Sequence, residues 1–305
     1  MRRAALALAA CCAALAAGPA TAGARDGGTV GLLTFNVLAP VWASPVWYPE
    51  DMDPALLDAA TRRARIGAVL AARADQTDVA CLQEVQESEF PSMLAALGAG
   101  FTGAMSHNAR DWWSNWLVPE IPWAPNGTAL AVRRQAFSNL AFRDVPLTGD
   151  GNHAVLMTGV HKGTGRPVRA ISIHLDSDIQ ANRTREAREV VRLLPPAART
   201  ADIVCGDLNE DSITGAAGNV LQRAGFVDVL AALGVREPTH PWSSQYNKAT
   251  RWAIIDHLLV RDATPRSGDV IDYGVWSIED ETARIEANFV NTGSDHFPVA
   301  GAAHL

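Results

Sequence analysis

The chain has 305 residues, 48% of them hydrophobic and 19% charged, with a formal net charge of −7. That composition excludes a disordered, collagenous or coiled-coil protein, and the length suits one large α/β domain with an extensive core. The acidic balance argues against tight non-specific binding to polyanions, whose affinity comes from Lys and Arg neutralising phosphates, but it permits a transient substrate contact.

At the N-terminus, Arg2 and Arg3 precede an apolar run over residues 4–17 and the small-residue stretch Gly18-Pro19-Ala20-Thr21-Ala22. This pattern reads as a secretory signal peptide over residues 1–22, cleaved after Ala22, so the expected location is secreted or periplasmic. Its apolar run is shorter than the ~20 residues a transmembrane helix needs, and no later stretch approaches that length. Leu8-Ala9-Ala10-Cys11 also resembles a lipoprotein box with Cys11 acylated, a less favoured reading because the apolar run continues past Cys11. Loss of Arg2 and Arg3 with a leader that contains no acid takes the formal charge from −7 to −9.

Beyond the leader, short apolar runs alternate with amphipathic stretches, without repeats or low-complexity tracts, as in a mixed α/β domain over residues 29–305. Strands are predicted over 30–38, 78–85, 128–133, 153–161, 168–174, 203–207, 252–260 and 297–302. Helices are predicted over 54–73, 90–97, 181–194 and 216–225. In the first helix Leu57, Ala60, Ala64, Ala68 and Ala71 recur at helical spacing, with Leu56 and Leu70 widening the inward face and Asp58, Arg62 and Arg65 turned away. Cys11 and Cys12 leave with the leader. Cys81 and Cys205 lie in apolar runs and read as two buried small hydrophobes in preference to a single bridge.

Polar residues gather at the ends of these runs. Five runs end in a polar cluster: at Thr34-Phe35-Asn36, Gln83-Glu84, His174, Asp207-Leu208-Asn209 and Asp256-His257. A sixth cluster, Ser294-Asp295-His296, precedes the last run. Strand ends that bring Asn, Glu, His and Asp to one rim are a common way for an α/β scaffold to build a site.

With these motifs in order, Thr34-Phe35-Asn36-Val37-Leu38, Cys81-Leu82-Gln83-Glu84-Val85, Asn126-Gly127-Thr128, Ser172-Ile173-His174-Leu175, Gly206-Asp207-Leu208-Asn209, Ile255-Asp256-His257 and Ser294-Asp295-His296-Phe297-Pro298, the chain resembles the endonuclease/exonuclease/phosphatase superfamily. The resemblance implies a four-layer α/β sandwich, two packed mixed β-sheets flanked by helices, with a site at one rim. It also implies an Mg²⁺-dependent phosphoesterase, Mn²⁺ being the other hard cation that oxygen ligands select.

By resemblance Glu84 is the main metal ligand, with Asn36 and Asp295 completing or supporting the shell. Asp207 takes the proton of the attacking water, and Asn209 donates to the phosphate or orients that water. His296, paired with Asp256, binds or protonates a phosphoryl oxygen, and His174 is the second phosphate-facing histidine. Asn126 and Arg183 are expected at the substrate. His257 is expected to face the other side of its strand and to be structural. In the family fold the strands bearing Cys81 and Cys205 run close together, which keeps a disulfide open for an exported protein.

The opening Asn36-Val37-Leu38-Ala39-Pro40 and the Asn182-Arg183 pair resemble the deadenylase-like branch, whereas the leader fits secreted members such as sphingomyelinases and extracellular nucleases. Tyr48 lies too early, and Tyr246 and Tyr273 too late, to match the mid-chain phosphate-binding tyrosine of some members. Trp112, Trp113, Trp116 and Trp123 crowd one segment, where they would either pack beneath a long loop or meet bases or a membrane surface. The expected partner is a phosphodiester, in nucleic acid or phospholipid, with no obligate protein partner. The alternatives are a phosphomonoesterase and a non-catalytic binding relative.

Overall fold

A computed structural model describes residues 27–108, 125–147, 151–240 and 254–305. The leader, Cys11 and the tryptophans at 112, 113, 116 and 123 lie outside the described residues. Twelve strands among those described form two six-stranded sheets. The first has the order β11 (Thr264–Val270), β12 (Val299–His304), β1 (Thr29–Asn36), β2 (Val79–Gln86), β4 (Asn126–Arg133), β3 (Phe101–Met105). The second has the order β5 (Phe137–Pro146), β6 (His153–His161), β7 (Pro167–His174), β8 (Ala201–Asp207), β10 (Asp256–Arg261), β9 (Val227–Asp228).

Side-chain alternation along these strands divides the core into three apolar layers. Leu32, Cys81 and Leu130 of the first sheet meet Met157, Ala170, Ile203, Cys205 and Leu258 of the second. On the outer face of the first sheet, Leu33, Phe35 and Leu82 pack under α1 (Ala59–Arg73) and α2 (Phe90–Leu97). On the outer face of the second, Ile171, Ile173 and Val204 pack under α3 (Gln180–Leu193) and α4 (Ala216–Arg223). The central strands are covered on both faces, which is why they read as near-continuous apolar runs. The result is the expected four-layer sandwich. A short α5 (Val229–Ala232) and α6 (Glu281–Thr292) complete the helices.

Each sheet is built around one parallel pair with antiparallel neighbours: β1 beside β2, flanked by β12 and β4, and β7 beside β8, flanked by β6 and β10. Parallel partners end on the same rim, and antiparallel neighbours begin there. This direction rule explains where the motifs fall: Asn36, Glu84, His174 and Asp207 at or near strand ends, and Asn126, Asp256 and the 294–296 cluster at or just before strand starts. It also corrects one expectation. Asp256 does not end an apolar run; it opens β10, directly opposite Asp207 in the antiparallel register.

Two further expectations change. Cys81 and Cys205 are joined by a disulfide, Cα–Cα 5.9 Å, that ties β2 of one sheet to β8 of the other, so the reading as two unlinked buried thiols does not hold. In α1 the inward face is Arg62, Ile66, Val69 and Leu70, whereas Ala60, Ala64, Ala68 and Ala71 are exposed. Small alanines do not force burial. Arg62 turns inward because its guanidinium, almost fully buried, donates to the carbonyls of Val37, Leu38 and Gly293, satisfying backbone left unpaired where β1 ends and where the 294–296 segment begins.

Candidate active site

Asn36, the last residue of β1, is fully buried and sits between carboxylates from both sheets. Its Nδ2 donates to Glu84 Oε1 at 2.9 Å and to Asp207 Oδ2 at 3.2 Å, while its Oδ1 accepts from the Leu38 amide. Glu84 reaches that position through a β-bulge. The β2–β4 register shifts between Leu82 and Val85, and Glu84 has a left-handed φ of 55°, uncommon for a residue with a side chain. Regular alternation would have sent Glu84 to the helix-covered face with Leu82; the bulge turns it to the rim, where Oε2 accepts from the Ala39 amide at 3.0 Å. Positive φ recurs nearby at Leu38 and Asn209, a concentration of backbone strain of the kind found at functional sites.

Asp207 ends β8 after Gly206, which has no room for a side chain: a Cβ there would lie 1.9 Å from the Ile173 carbonyl oxygen. Asp207 Oδ1 accepts from the Asn209 amide at 2.7 Å. Its Oδ2 is approached by Asn36 Nδ2, by His174 Nε2 at 3.5 Å and by His296 Nε2 at 3.8 Å. Asn209 Nδ2 donates to the Leu175 carbonyl, linking the ends of β7 and β8.

His296 Nδ1 lies 2.8 Å from Asp256 Oδ2, which fixes the tautomer and leaves Nε2 turned to Asp207. Burial pushes His296 down, but the charge and hydrogen bond of Asp256, with Asp207 and Asp295 behind it, outweigh burial and hold the imidazole up at about 10. Burial likewise raises Asp295, yet the hydrogen bond from His240, the charges of His296 and His240 and the Tyr48 hydroxyl hold it well below the usual carboxylate range.

Tyr48 and His240 are site neighbours that sequence reasoning missed. Tyr48 Oη donates to Asp295 Oδ2 at 3.0 Å, and His240 Nε2 lies 3.8 Å from the same oxygen with its ring edge-on to His296. Tyr48 lies too early in the chain to match a mid-chain phosphate-binding tyrosine, and nothing in Thr239-His240 marked the histidine.

The remaining sequence candidates fall around this centre. Asn126 is buried at the start of β4, paired with Gln86. Arg183 forms a clasp: Nε meets Glu210 Oε2 at 3.2 Å and Nη1 donates to the carbonyls of Asp176 and Ser177, joining the loops that follow β7 and β8. His257 faces away from the rim, as expected, with Nδ1 2.7 Å from Asp228 Oδ2. Beneath the site Gln83 bridges the sheets, accepting from Thr34 Oγ1 and donating to Ser172 Oγ, one step above the disulfide.

Among the described residues, two trios of His and Asp ligand atoms lie within 4.8 Å of one another: Asp207, Asp256 and His296, and His240, Asp295 and His296. Glu84 belongs to neither, but its carboxylate, held by Asn36 Nδ2, offers oxygen donors of the hard class. Asp256 Oδ1 is buried without a hydrogen-bond partner among the described residues, an arrangement that suits a positive neighbour. The residues present therefore fit a divalent cation.

Comparison with known proteins bears on the fold and the family. No curated protein sequence matches the chain. Among solved structures, the human Nocturnin catalytic domain with bound sulfate is 18% identical, covering 90% of this chain and 93% of that one, with a TM-score of 0.62. An endonuclease/exonuclease/phosphatase from Bacteroides vulgatus is 16% identical over 91% and 99%, TM-score 0.64. ANGEL2, a 2',3'-cyclic phosphatase, in complex with adenosine-2',3'-vanadate, is 14% identical over 91% and 96%, TM-score 0.65. At these identities the likeness shows the fold. The family model described as Endonuclease/Exonuclease/phosphatase family matches residues 33–296, and the chain belongs to that family.

Proposed function

We propose that this chain is an exported Mg²⁺-dependent phosphodiesterase that hydrolyses nucleic acid or phospholipid head-group diesters by a single attack of water on phosphorus. The observation that carries the reading is Asp207. One of its oxygens faces Asn36 at the end of β1, His174 at the end of β7 and His296 from the segment before β12, beside Glu84. A phosphodiester repels nucleophiles through its anionic oxygens, so its hydrolysis needs positive charge around phosphorus and a base for the incoming water.

Asp207 accepts the proton of the attacking water, and Asn209, two residues on, orients it. His296, held by Asp256 and kept protonated at neutral pH, donates from Nε2 to a phosphoryl oxygen, and His174 Nε2 contacts the same group. Glu84 and Asn36 would hold the Mg²⁺, with Asp295 in support; when bound, the ion neutralises charge on the phosphoryl group. Arg183 acts one step removed, through the loops it clasps. The leader pattern in residues 1–22 supports export, and among the described residues no helix is long and apolar enough to cross a membrane. We also propose that Trp112, Trp113 and Trp116 contact the membrane surface or bases when such a substrate binds.

The test is a turnover panel with Mg²⁺ and with EDTA on bis-p-nitrophenyl phosphate, p-nitrophenyl phosphate, single- and double-stranded DNA, RNA and sphingomyelin vesicles. Metal-dependent cleavage of diesters in preference to p-nitrophenyl phosphate is expected. Cleavage of the monoester alone would assign a phosphomonoesterase, and no cleavage of any substrate would favour a binding relative.

A further inference from the structure

Two segments that carry site residues of the first sheet meet on one buried side chain of α1. Arg62 donates from Nε to the Gly293 carbonyl at 2.8 Å, and from Nη2 to the carbonyl of Val37 at 2.9 Å and to that of Leu38. Val37 and Leu38 directly follow Asn36, and Gly293 directly precedes Ser294-Asp295-His296. We propose that Arg62 is a positioning residue for the reaction, a role that rests on Mg²⁺ binding at Glu84 and Asn36: it fixes the turn after β1 whose amides orient those two side chains.

That turn is strained. Successive carbonyls of an extended chain point to opposite sides, yet those of Val37 and Leu38 meet the same Nη2, where Leu38 takes a left-handed φ of 56°. A leucine held in that region needs surroundings that over-determine it, and two charge-assisted hydrogen bonds from one buried nitrogen supply them. The same turn aims two amides at the site. Leu38 donates to Asn36 Oδ1 at 3.0 Å and Ala39 donates to Glu84 Oε2 at 3.0 Å. Glu84 and Asn36 are thus oriented by backbone groups whose own direction Arg62 sets.

The third acceptor brings in the segment that carries Asp295. Gly293, with a φ of 77°, comes so close to α1 that a Cβ there would lie 2.5 Å from the Arg62 carbonyl oxygen. Ser294 Oγ then donates to the Asn36 carbonyl at 2.7 Å, closing the ring from Arg62 through Gly293 back to β1. The next residue on the helix, Arg63, holds Glu89 in the turn after β2, Nη2 to Oε1 2.9 Å. A second buried arginine offers a contrast. Arg261 donates to Asp202 and to the carbonyls of Leu194 and Ala224, at the ends of β8 and β10 away from the rim, so it carries a similar structural load with no link to Glu84.

Mn²⁺ is the probe, its binding to the mature protein read from the free-ion EPR signal without substrate, with urea midpoints recorded alongside. Arg62→Lys and Arg62→Ala are expected to bind Mn²⁺ at least about 10-fold more weakly than wild type, the usual cost of losing a group that orients a ligand. Guanidinium ion, well below the concentration that unfolds the protein, should restore binding in Arg62→Ala. Arg261→Lys should lose stability and keep Mn²⁺ affinity within a few-fold. Unchanged affinity in Arg62→Lys, or an equal loss in Arg261→Lys, overturns the positioning role. If neither Arg62 variant folds, the wild-type protein decides: by reciprocity Mg²⁺ must slow solvent exchange of the Arg62 Nε–H more than that of Arg261, and equal slowing or none overturns the role. No Mn²⁺ binding by the wild type, or none lost in Glu84→Gln, overturns the hard-cation reading and this role with it. Binding that depends on Arg62 in a protein without turnover upholds the role and overturns the hydrolase reading alone.

Discussion

Two buried His–Asp pairs lie on opposite faces of β10, and the difference between them separates chemistry from architecture. Asp256 projects to the rim and holds His296 Nδ1 at 2.8 Å, and the next residue, His257, projects to the other face and meets Asp228 at 2.7 Å. The second ring nitrogen differs. Nε2 of His257 is taken by the carbonyls of Glu210 and Ile254, whereas Nε2 of His296 faces the Asp207 carboxylate at the rim. An imidazole with both nitrogens committed to fixed acceptors is a structural cation; one with a nitrogen turned to the site carboxylate can serve a substrate. His–Asp pairing alone therefore identifies neither role.

The largest expected effect follows from that contrast. His296→Asn should lower turnover per folded molecule by about 10²–10⁴, the usual worth of a positioned proton donor, as measured on bis-p-nitrophenyl phosphate. His257→Ala should do the reverse. It leaves the buried Asp228 carboxylate without its cationic partner, only Ser212 Oγ and the Ala231 amide still donating to it, and should cost about 3–5 kcal/mol in urea unfolding, with turnover per folded molecule kept within a few-fold. If His257→Ala removed activity from well-folded protein, the division between the pairs would fail.

Removing the inter-sheet link by Cys81→Ala with Cys205→Ala should cost about 2–5 kcal/mol, read from the urea midpoint of non-reduced protein, because the bridge closes a 124-residue separation in the unfolded chain. That loss should fall on both pairs alike, without the selective drop in turnover seen for His296→Asn.

The pH dependence of stability gives a finer comparison. His296 is held up at about 10, where Asp256, Asp207 and Asp295 overcome burial; His257 is also raised, its hydrogen bond to Asp228 overcoming burial. A folded value above the unfolded one, about 6.5, means stabilisation that is complete below about pH 6.5 and is lost as pH rises through the folded value. The urea midpoint should thus fall between pH 6.5 and 10. Asp256→Asn should flatten that fall by lowering His296, and Asp228→Asn should flatten it through His257.

Much of this was legible in the chain because central strands carry two apolar faces and end in the site residues. What escaped the sequence is systematic. The strands β3, β5, β9 and β11 gave no clear apolar run, and they are the four sheet edges, where exposed positions carry residues such as Asn139, Arg143, Asp144 and Arg266. Asn36, Glu84, Asp207 and His296 could be named because they sit inside ordered motifs. Tyr48 and His240 could not, since each meets Asp295 only through the fold, across 247 and 55 positions of chain respectively. Arg62 was misjudged for a related reason: helical periodicity records polarity, and the acceptors that draw it inward are backbone carbonyls from distant segments.

The central claim is that Asp207 is the base for water attack in a metal-dependent hydrolysis, and the most direct measurement is turnover of bis-p-nitrophenyl phosphate by wild-type protein and Asp207→Asn in Mg²⁺, with melting temperatures recorded for both. The account predicts EDTA-sensitive turnover in the wild type and a loss of at least about 10³ in the folded variant. Asp207→Asn turnover within tenfold of wild type would contradict it.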